Sequence, residues 1–280
     1  METPVGEITL HWVDHGVGAA LVALHGAGTD HREMEAALEA VIPGTGYRRI
    51  YPDLPGMGRS TADGLTGNDD VVAVLADFIE QLDEGPVLLV GHSYGGYLAR
   101  GLAATRPDLV AGLALICPAT EKTGMVPDHT VVVEDPTAFD ELAPEHRDGF
   151  AEYFVVRTPA MARRYRDAVV PAIALCSDAD LERIFANWTV DVGSTAFTKP
   201  TLIVAGRRDS SVGYADAVDL LERYPRATLA VLDDAGHALM HERPDVLASL
   251  VGDWLECTSA AATSSVSPRT MSSTSSEEPR

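Results

Sequence analysis

The run Val87-Leu88-Leu89-Val90-Gly91-His92-Ser93-Tyr94-Gly95-Gly96 opens as an apolar strand, breaks at Gly91, and resumes at Tyr97 as a helix-like run through Ala104. A strand that becomes a helix within so few residues leaves its middle residue, Ser93, at the tip of a sharp turn. Gly91 and Gly95 flank it, because only a missing Cβ lets strand and helix come so close. The helix begins at the turn, so backbone N–H groups and the positive end of its dipole face whatever Ser93 attacks. The bare pattern Gly-x-Ser-x-Gly fits a glycine-rich turn with an incidental serine equally well. The flanking strand and helix are what favour a nucleophile.

Around this turn lie 280 residues, 46% of them apolar, with a formal net charge of −21. That length suits one large domain or two small ones with a full core. So acidic a chain is a poor match for nucleic acid or an anionic membrane, which call for a basic patch. Cys117, Cys176 and Cys257 are too widely spaced for a metal site or a disulfide framework, and their odd count suits a reducing cytoplasm. The N-terminus has neither the basic region nor the apolar core of a signal peptide, and no apolar run approaches a membrane span. These features predict a cytoplasmic monomer or homodimer with a small-molecule substrate and no nucleic-acid or membrane partner.

Residues 7–13 alternate apolar and polar, as an exposed early strand does. Residues 19–24 are continuously apolar, suited to a strand buried on both faces, and end in His25-Gly26-Ala27-Gly28. Thr29 or Asp30 can cap a helix over 33–41, and a strand at 47–52 runs into the turn-rich loop Asp53-Leu54-Pro55-Gly56-Met57-Gly58-Arg59-Ser60. Val71, Val72, Leu75, Phe78, Ile79 and Leu82 predict a helix over 69–82, and 110–116 is another buried strand. Such alternation means a parallel sheet with helices on both faces, its ligands at the carboxyl ends of the strands. From 119 to 196 the alternation stops, and residues 144–156, 159–175 and 178–188 read as helices of an inserted lid. It resumes with strands at 201–206 and 228–232 and helices at 215–224 and 244–256. The expected division is core 1–118, helical lid 119–196, core 197–256, and a Ser/Thr-rich disordered tail 257–280.

Serine alone is a weak nucleophile; it needs a base, and the base needs an orienting carboxylate. Gly206-Arg207-Arg208-Asp209 puts Asp209 in a turn after a strand, and Gly236-His237 puts His237 in the loop after the last strand. Glu121, just past the strand at 110–116, competes for the carboxylate role, whereas Asp233 and Asp234 sit too near His237 in sequence and read as turn residues. His25 and Trp188 are the candidates for the substrate pocket, although His25, like His92, also reads as a structural histidine. Tyr153, Phe154, Tyr165 and Phe185 read as lid core, and His11, His15, His31, His129, His146 and His241 default to the surface. No His/Asp/Glu spacing fits a metal, and Gly26-Ala27-Gly28 lacks the third glycine of a dinucleotide fingerprint, so neither metal nor cofactor is expected.

Taken in order, the segments at His25, Ser93, Asp209 and His237 resemble the α/β-hydrolase fold superfamily, in its subset with a helical lid, over roughly residues 5–256. The loop from Asp53 to Ser60 looks like that family's loop after its fourth strand. The resemblance implies an α/β fold with a mostly parallel central sheet flanked by helices and an inserted helical lid. It implies Ser93 as nucleophile, His237 as general base and then acid, and Asp209 as the group that fixes the tautomer of His237. It also implies an oxyanion hole made by the backbone N–H groups of Ala27 and Tyr94. The implied activity is cofactor-free serine hydrolysis of a small ester, thioester or lactone through an acyl-enzyme. Serine at the elbow argues against the dehalogenase and epoxide-hydrolase branches, which carry a carboxylate there. Carbon–carbon bond hydrolysis, a lyase reaction or perhydrolysis on the same triad are the alternatives among enzymes. A non-catalytic small-molecule receptor is the alternative of another class.

Overall fold

Continuous apolar runs bounded by turns become the buried strands, and the amphipathic stretches between them become the covering helices. The computed structural model describes residues 1–42, 44–121 and 124–265. The first half runs β1 (Glu2–Val5), β2 (Ile8–His15), β3 (Gly18–Leu24), α1 (His31–Leu38), β4 (Gly46–Pro52), α2 (Asn68–Gln81), β5 (Val87–His92), α3 (Ser93–Thr105) and β6 (Val110–Ile116). An insertion follows, with β7 (Val133–Glu134), α4 (Arg147–Tyr153), β8 (Val156–Arg157), α5 (Pro159–Arg164), α6 (Val170–Ala172) and α7 (Asp178–Phe185). The chain then returns through β9 (Thr201–Gly206), α8 (Ala215–Asp219), β10 (Ala227–Leu232), α9 (Leu239–Glu242) and α10 (Pro244–Ser265).

The main sheet has eight strands in the order β1-β2-β4-β3-β5-β6-β9-β10. The pairs β1·β2 and β2·β4 are antiparallel, and every other neighbouring pair is parallel. The chain steps from β3 to β4 on one side and comes back to β5 on the other. The strand order therefore reverses at β3 and β5, and a crevice opens beyond their carboxyl ends. Strand periodicity sends Leu21, Ala23, Leu88 and Val90 to the face covered by Met34 and Leu38 of α1 and Leu247, Val251 and Trp254 of α10. Val22, Leu24, Leu89 and Leu113 face the opposite layer, with Leu75 and Phe78 of α2 and Leu98 and Leu102 of α3. Burying each such Leu or Phe contributes about 1.5–3 kcal/mol, so the sandwich of sheet between two helical layers is the main source of stability.

Apart from the C-terminal end of α10, the predicted strands and helices of the core appear within a few residues of their expected bounds. The insertion differs more. The helix expected over 159–175 is α5, a π-helical stretch Tyr165–Val169, α6 and a 3-10 turn Ile173–Leu175. Pro171 has no N–H to return to the preceding turn, and its ring crowds the carbonyl there, so the helix widens just ahead of it. The insertion has its own small core of Ala138, Leu142, Phe150, Phe154, Ala162, Tyr165 and Val169, which also takes in Ala238 from the loop after β10. The short elements β1, β7, β8 and α9 carry too few residues to show a period in the sequence.

Residues 257–265 of the expected tail are helical instead, because α10 runs on through Ser265. Thr258 is buried over Gly112 of β6, and Thr258 and Ser259 each donate a side-chain hydrogen bond to the carbonyl of Leu255 at 2.8 and 3.0 Å. That bonding lets Ser and Thr continue a helix they otherwise disfavour. The rest of the expected tail, 266–280, lies outside the described residues. Among the described residues no helix is long and apolar enough to cross a membrane.

A Cβ on Gly95 would lie 2.4 Å from the carbonyl oxygens of both Leu24 and His25. Gly95→Ala should therefore cost about 3 kcal/mol or more in urea unfolding. Gly252→Ala in α10, where a Cβ meets nothing within 4 Å, should instead gain about 0.5–1 kcal/mol. Equal effects at the two positions would contradict the close packing of elbow and sheet.

Candidate active site

Ser93 is the first residue of α3 and sits at a left-handed φ of 51°. The turn that produces this backbone is forced by crowding: a Cβ on Gly91 would be 2.4 Å from the carbonyl oxygen of Gly95. A non-glycine residue at positive φ is held against its preference by its surroundings. Here the result is that Oγ points out of the sheet at the crevice between β3 and β5.

Asp209 follows β9 and His237 follows β10. Gly206 and Gly236 let their loops close on each other, since a Cβ on Gly206 would be 2.3 Å from the Gly236 carbonyl oxygen. His237 Nε2 lies 3.0 Å from Ser93 Oγ, and its Nδ1 lies 2.8 Å from Asp209 Oδ2. The other oxygen of Asp209 accepts the N–H groups of Ser211 and Val212, each at 2.9 Å. Burial alone would raise the Asp209 pKa; the charge and hydrogen bond of His237 and these N–H groups outweigh it and hold the carboxyl below its usual range. Burial alone would lower the His237 pKa; the charge and hydrogen bond of Asp209 outweigh it, so the imidazole is raised above its ordinary value. The arrangement therefore makes Nε2 of His237 a proton acceptor directly beside a hydroxyl, with the proton on Nδ1 held by a buried carboxylate.

Neighbouring groups fix this line in place. His92 Nε2 donates to the His237 carbonyl at 3.1 Å, and burial, then His237, push the His92 pKa down to about 4, so it stays a neutral donor. Glu242 of α9 is buried and accepts the N–H groups of Gly236 at 2.7 Å, Val155 at 2.7 Å and Val156 at 3.1 Å. One carboxylate thus ties the His237 loop to the insertion.

A cavity of about 370 Å³ opens beside Ser93 and His237. Its floor is Gly26, Ala27 and Gly28 from the loop after β3, and its walls include Val212 and, from the insertion, Tyr153, Tyr165, Val169 and Ile173. A larger cavity of about 510 Å³ lies at Arg100, Glu121 and Arg223, and no member of the Ser93 line borders it.

Ala27 borders the cavity, and Tyr94 is the second residue of α3, so its N–H has no acceptor within the helix. The Tyr94 side chain points away and donates to Asn68 at 2.7 Å. Glu121 is not near His237; it pairs with buried Arg100 at 2.9 Å, which leaves Asp209 as the carboxylate facing the imidazole. His25 does not line the cavity. It is buried, bonds the Gly26 carbonyl through Nδ1 at 2.8 Å, and accepts the Leu54 N–H at Nε2 at 2.9 Å, which makes it a brace between loops. Trp188 does not line it either. It stacks on Tyr97 at 5.3 Å and donates to the Thr120 carbonyl at 3.1 Å, because the exit of the insertion lies over α3 rather than over the crevice. Tyr153 and Tyr165, expected as lid core alone, are cavity walls as well. His11 and His241 are buried rather than on the surface. Glu33 and Glu242 went unnoticed in the sequence, where a Glu in the first turn of a helix or before Arg-Pro looks like an ordinary surface charge.

Among the described residues two clusters bring three possible ligand atoms within 4.8 Å: His11, His31 and Asp53, and Cys117, Asp209 and His237. The Asp53 carboxylate already accepts His11 and His31 ring nitrogens and the backbone N–H groups of His31 and Arg59. Asp209 is likewise surrounded by donors. Both carboxylates have the donor shell of a structural anchor rather than lone pairs open to a cation.

The family model described as "Alpha/beta hydrolase family" matches residues 21–250. The chain is 30% identical over 278 residues to the 2-hydroxymuconate semialdehyde hydrolase of a Pseudomonas species, covering 90% of this chain and 92% of that one. It is 23% identical to the (E)-2-((N-methylformamido)methylene)succinate hydrolase of Acinetobacter baylyi, covering 89% and 95%. Among solved structures, an alpha/beta superfamily hydrolase from Oenococcus oeni superposes with a TM-score of 0.81 at 24% identity, covering 92% of this chain and 99% of that one. The match over nearly the whole core, together with the sheet order and the elbow, establishes that the chain is an enzyme of the alpha/beta hydrolase family.

Proposed function

We propose that the chain is a serine hydrolase that cleaves a small ester, thioester or lactone through an acyl-enzyme. The observation that carries this is the line Ser93 Oγ, His237, Asp209, with contacts of 3.0 and 2.8 Å. In this scheme His237 Nε2 takes the Ser93 proton as Oγ attacks the carbonyl carbon. The imidazolium is stabilised by Asp209, and the oxyanion is received by the N–H groups of Ala27 and Tyr94, each contributing about 10²–10³ in rate. His237 then returns its proton to the leaving oxygen or sulfur. Water, deprotonated by His237, releases the acyl group from Ser93. All of these roles fall to side chains and backbone of this chain, so the scheme needs no cofactor. The insertion, with Tyr153, Tyr165, Val169 and Ile173 on the cavity wall, acts as a lid that selects the substrate. The odd cysteine count supports a cytoplasmic setting.

The second reading is carbon–carbon bond hydrolysis, favoured by the name of the Pseudomonas relative. The names of both relatives specify carboxylate compounds. The described lining of the cavity has no Arg or Lys to meet a carboxylate, which supports an ester or lactone that carries no carboxylate instead.

A fluorophosphonate probe should label the wild type, and p-nitrophenyl acetate or butyrate should turn over; Ser93→Ala should abolish both. Labelling with no turnover of any ester, alongside cleavage of a dienoic diketone, would move the assignment to carbon–carbon chemistry. A folded wild type that takes no label would overturn the nucleophile.

Asp209→Asn should lower kcat about 10³–10⁴-fold, while Glu121→Gln should stay within about threefold of wild type. In the wild type, kcat/KM should fall as pH drops through the raised His237 pKa, because the protonated imidazole accepts no proton. Asp209→Asn removes the charge that raises that pKa, so its acid limb should move to lower pH. A limb that stays put would separate Asp209 from His237 in function.

A further inference from the structure

Glu33 stands in the first turn of α1 and borders the cavity beside Ser93, yet it has no part in the proton transfers above. It is 1% exposed. Its Oε1 accepts the Tyr153 hydroxyl at 2.7 Å and faces His241 Nε2 at 3.4 Å, so α4 and α9 hold it on that wall. Oε2 accepts no hydrogen bond among the described residues. Burial alone would raise its pKa; the His241 and Tyr153 bonds, with His92 nearby, outweigh burial and hold the carboxyl down at about 2. Beside it the lining combines the apolar Val169, Ile173 and Val212 with the polar Thr29, His92, Tyr165 and Ser211, and holds no other carboxylate. Among these groups a carboxylate oxygen without a hydrogen bond is the strongest acceptor an entering molecule meets, and an anion brought next to it is repelled.

We propose that Glu33 Oε2 recognises the substrate, receiving an ammonium or hydroxyl donor on the end that enters the cavity and rejecting an end that carries a carboxylate. Resting on the hydrolase reading, this narrows the substrate class to amino- or hydroxy-substituted esters and lactones. It also sets the chain apart from relatives whose named substrates are carboxylates.

The test uses binding, so that it does not depend on turnover. Dissociation constants of pentanamide, 5-aminopentanamide and glutaramate are measured by ligand-observed NMR on Ser93→Ala and on Ser93→Ala/Glu33→Gln. The titrations are run at about 0.3 M salt, where a Debye length under 10 Å screens the acidic surface. With Glu33 present, 5-aminopentanamide should bind about tenfold tighter than pentanamide and glutaramate about tenfold weaker, the scale of one charge-assisted hydrogen bond gained or one repulsion met. Glu33→Gln should bring the three within about threefold of each other. Tyr153→Phe, which leaves the carboxylate in place, should keep the order. Equal binding of the three to Ser93→Ala, or an order that survives Glu33→Gln, overturns the proposal. The first of these outcomes needs no Glu33 variant to fold. If the order is flat while fluorophosphonate labels Ser93 and esters turn over, Glu33 falls and the hydrolase reading stands. If the order holds and Ser93 takes no label, recognition by Glu33 stands and the hydrolase reading falls.

Discussion

Gly95 presses its Cα against the carbonyls of Leu24 and His25, with no room for a side chain between α3 and the end of β3. Together with the crowding at Gly91, this approach bends the chain into a helix within one turn and drives Ser93 to positive φ. The same contact sets the carboxyl ends of β3 and β5 side by side. Ala27, one residue beyond the His25-Gly26 pair, therefore comes to the cavity next to Ser93 and the N-terminus of α3. A looser elbow would move the hydroxyl away from Ala27 and from the N-terminus of α3, and geometry of this kind tolerates little error.

His237 is held from three sides. Asp209 takes its Nδ1, His92 takes its carbonyl, and Glu242 takes the N–H of the residue before it. Because Glu242 also binds Val155 and Val156, and Ala238 packs into the core of the insertion, the His237 loop and the insertion share one support. The imidazole lies on a loop, yet its position is set by a buried network rather than by the loop's own conformation.

Buried carboxylates recur at each of these joints. Glu33, Asp53, Asp209 and Glu242 are all largely removed from water, and each faces donors from distant segments. Desolvating a carboxylate costs several kcal/mol, so such a group persists only where donors offset that cost. Asp53 meets His11 and His31 and the Arg59 N–H, which fixes the loop after β4 against α1. Glu33 differs from the others in having an oxygen without a hydrogen bond among the described residues while it borders the cavity, and that difference is the basis of the recognition role proposed for it.

The elbow, the sheet and the order of serine, aspartate and histidine were legible in the sequence, because each rests on local chemistry. Glycines at Gly91 and Gly95, continuous apolar runs such as residues 19–24, and turn residues after strands announce their roles within a few positions. Side-chain direction across the insertion was not legible. Trp188 and Tyr153 are both aromatic residues of the insertion, Tyr153 at the end of α4 and Trp188 just past α7. Which of them faces the cavity depends on how the chain between β6 and β9 folds over the sheet. Nor did the sequence distinguish Glu33 or Glu242 from the many acidic residues of this chain, since what marks them is burial beside donors from distant segments. Local pattern by itself determined the fold class and the candidate residues Ser93, Asp209 and His237. Only tertiary packing decided that Asp209 rather than Glu121 faces the imidazole, and which groups line the cavity, because those contacts join residues that are tens of positions or more apart.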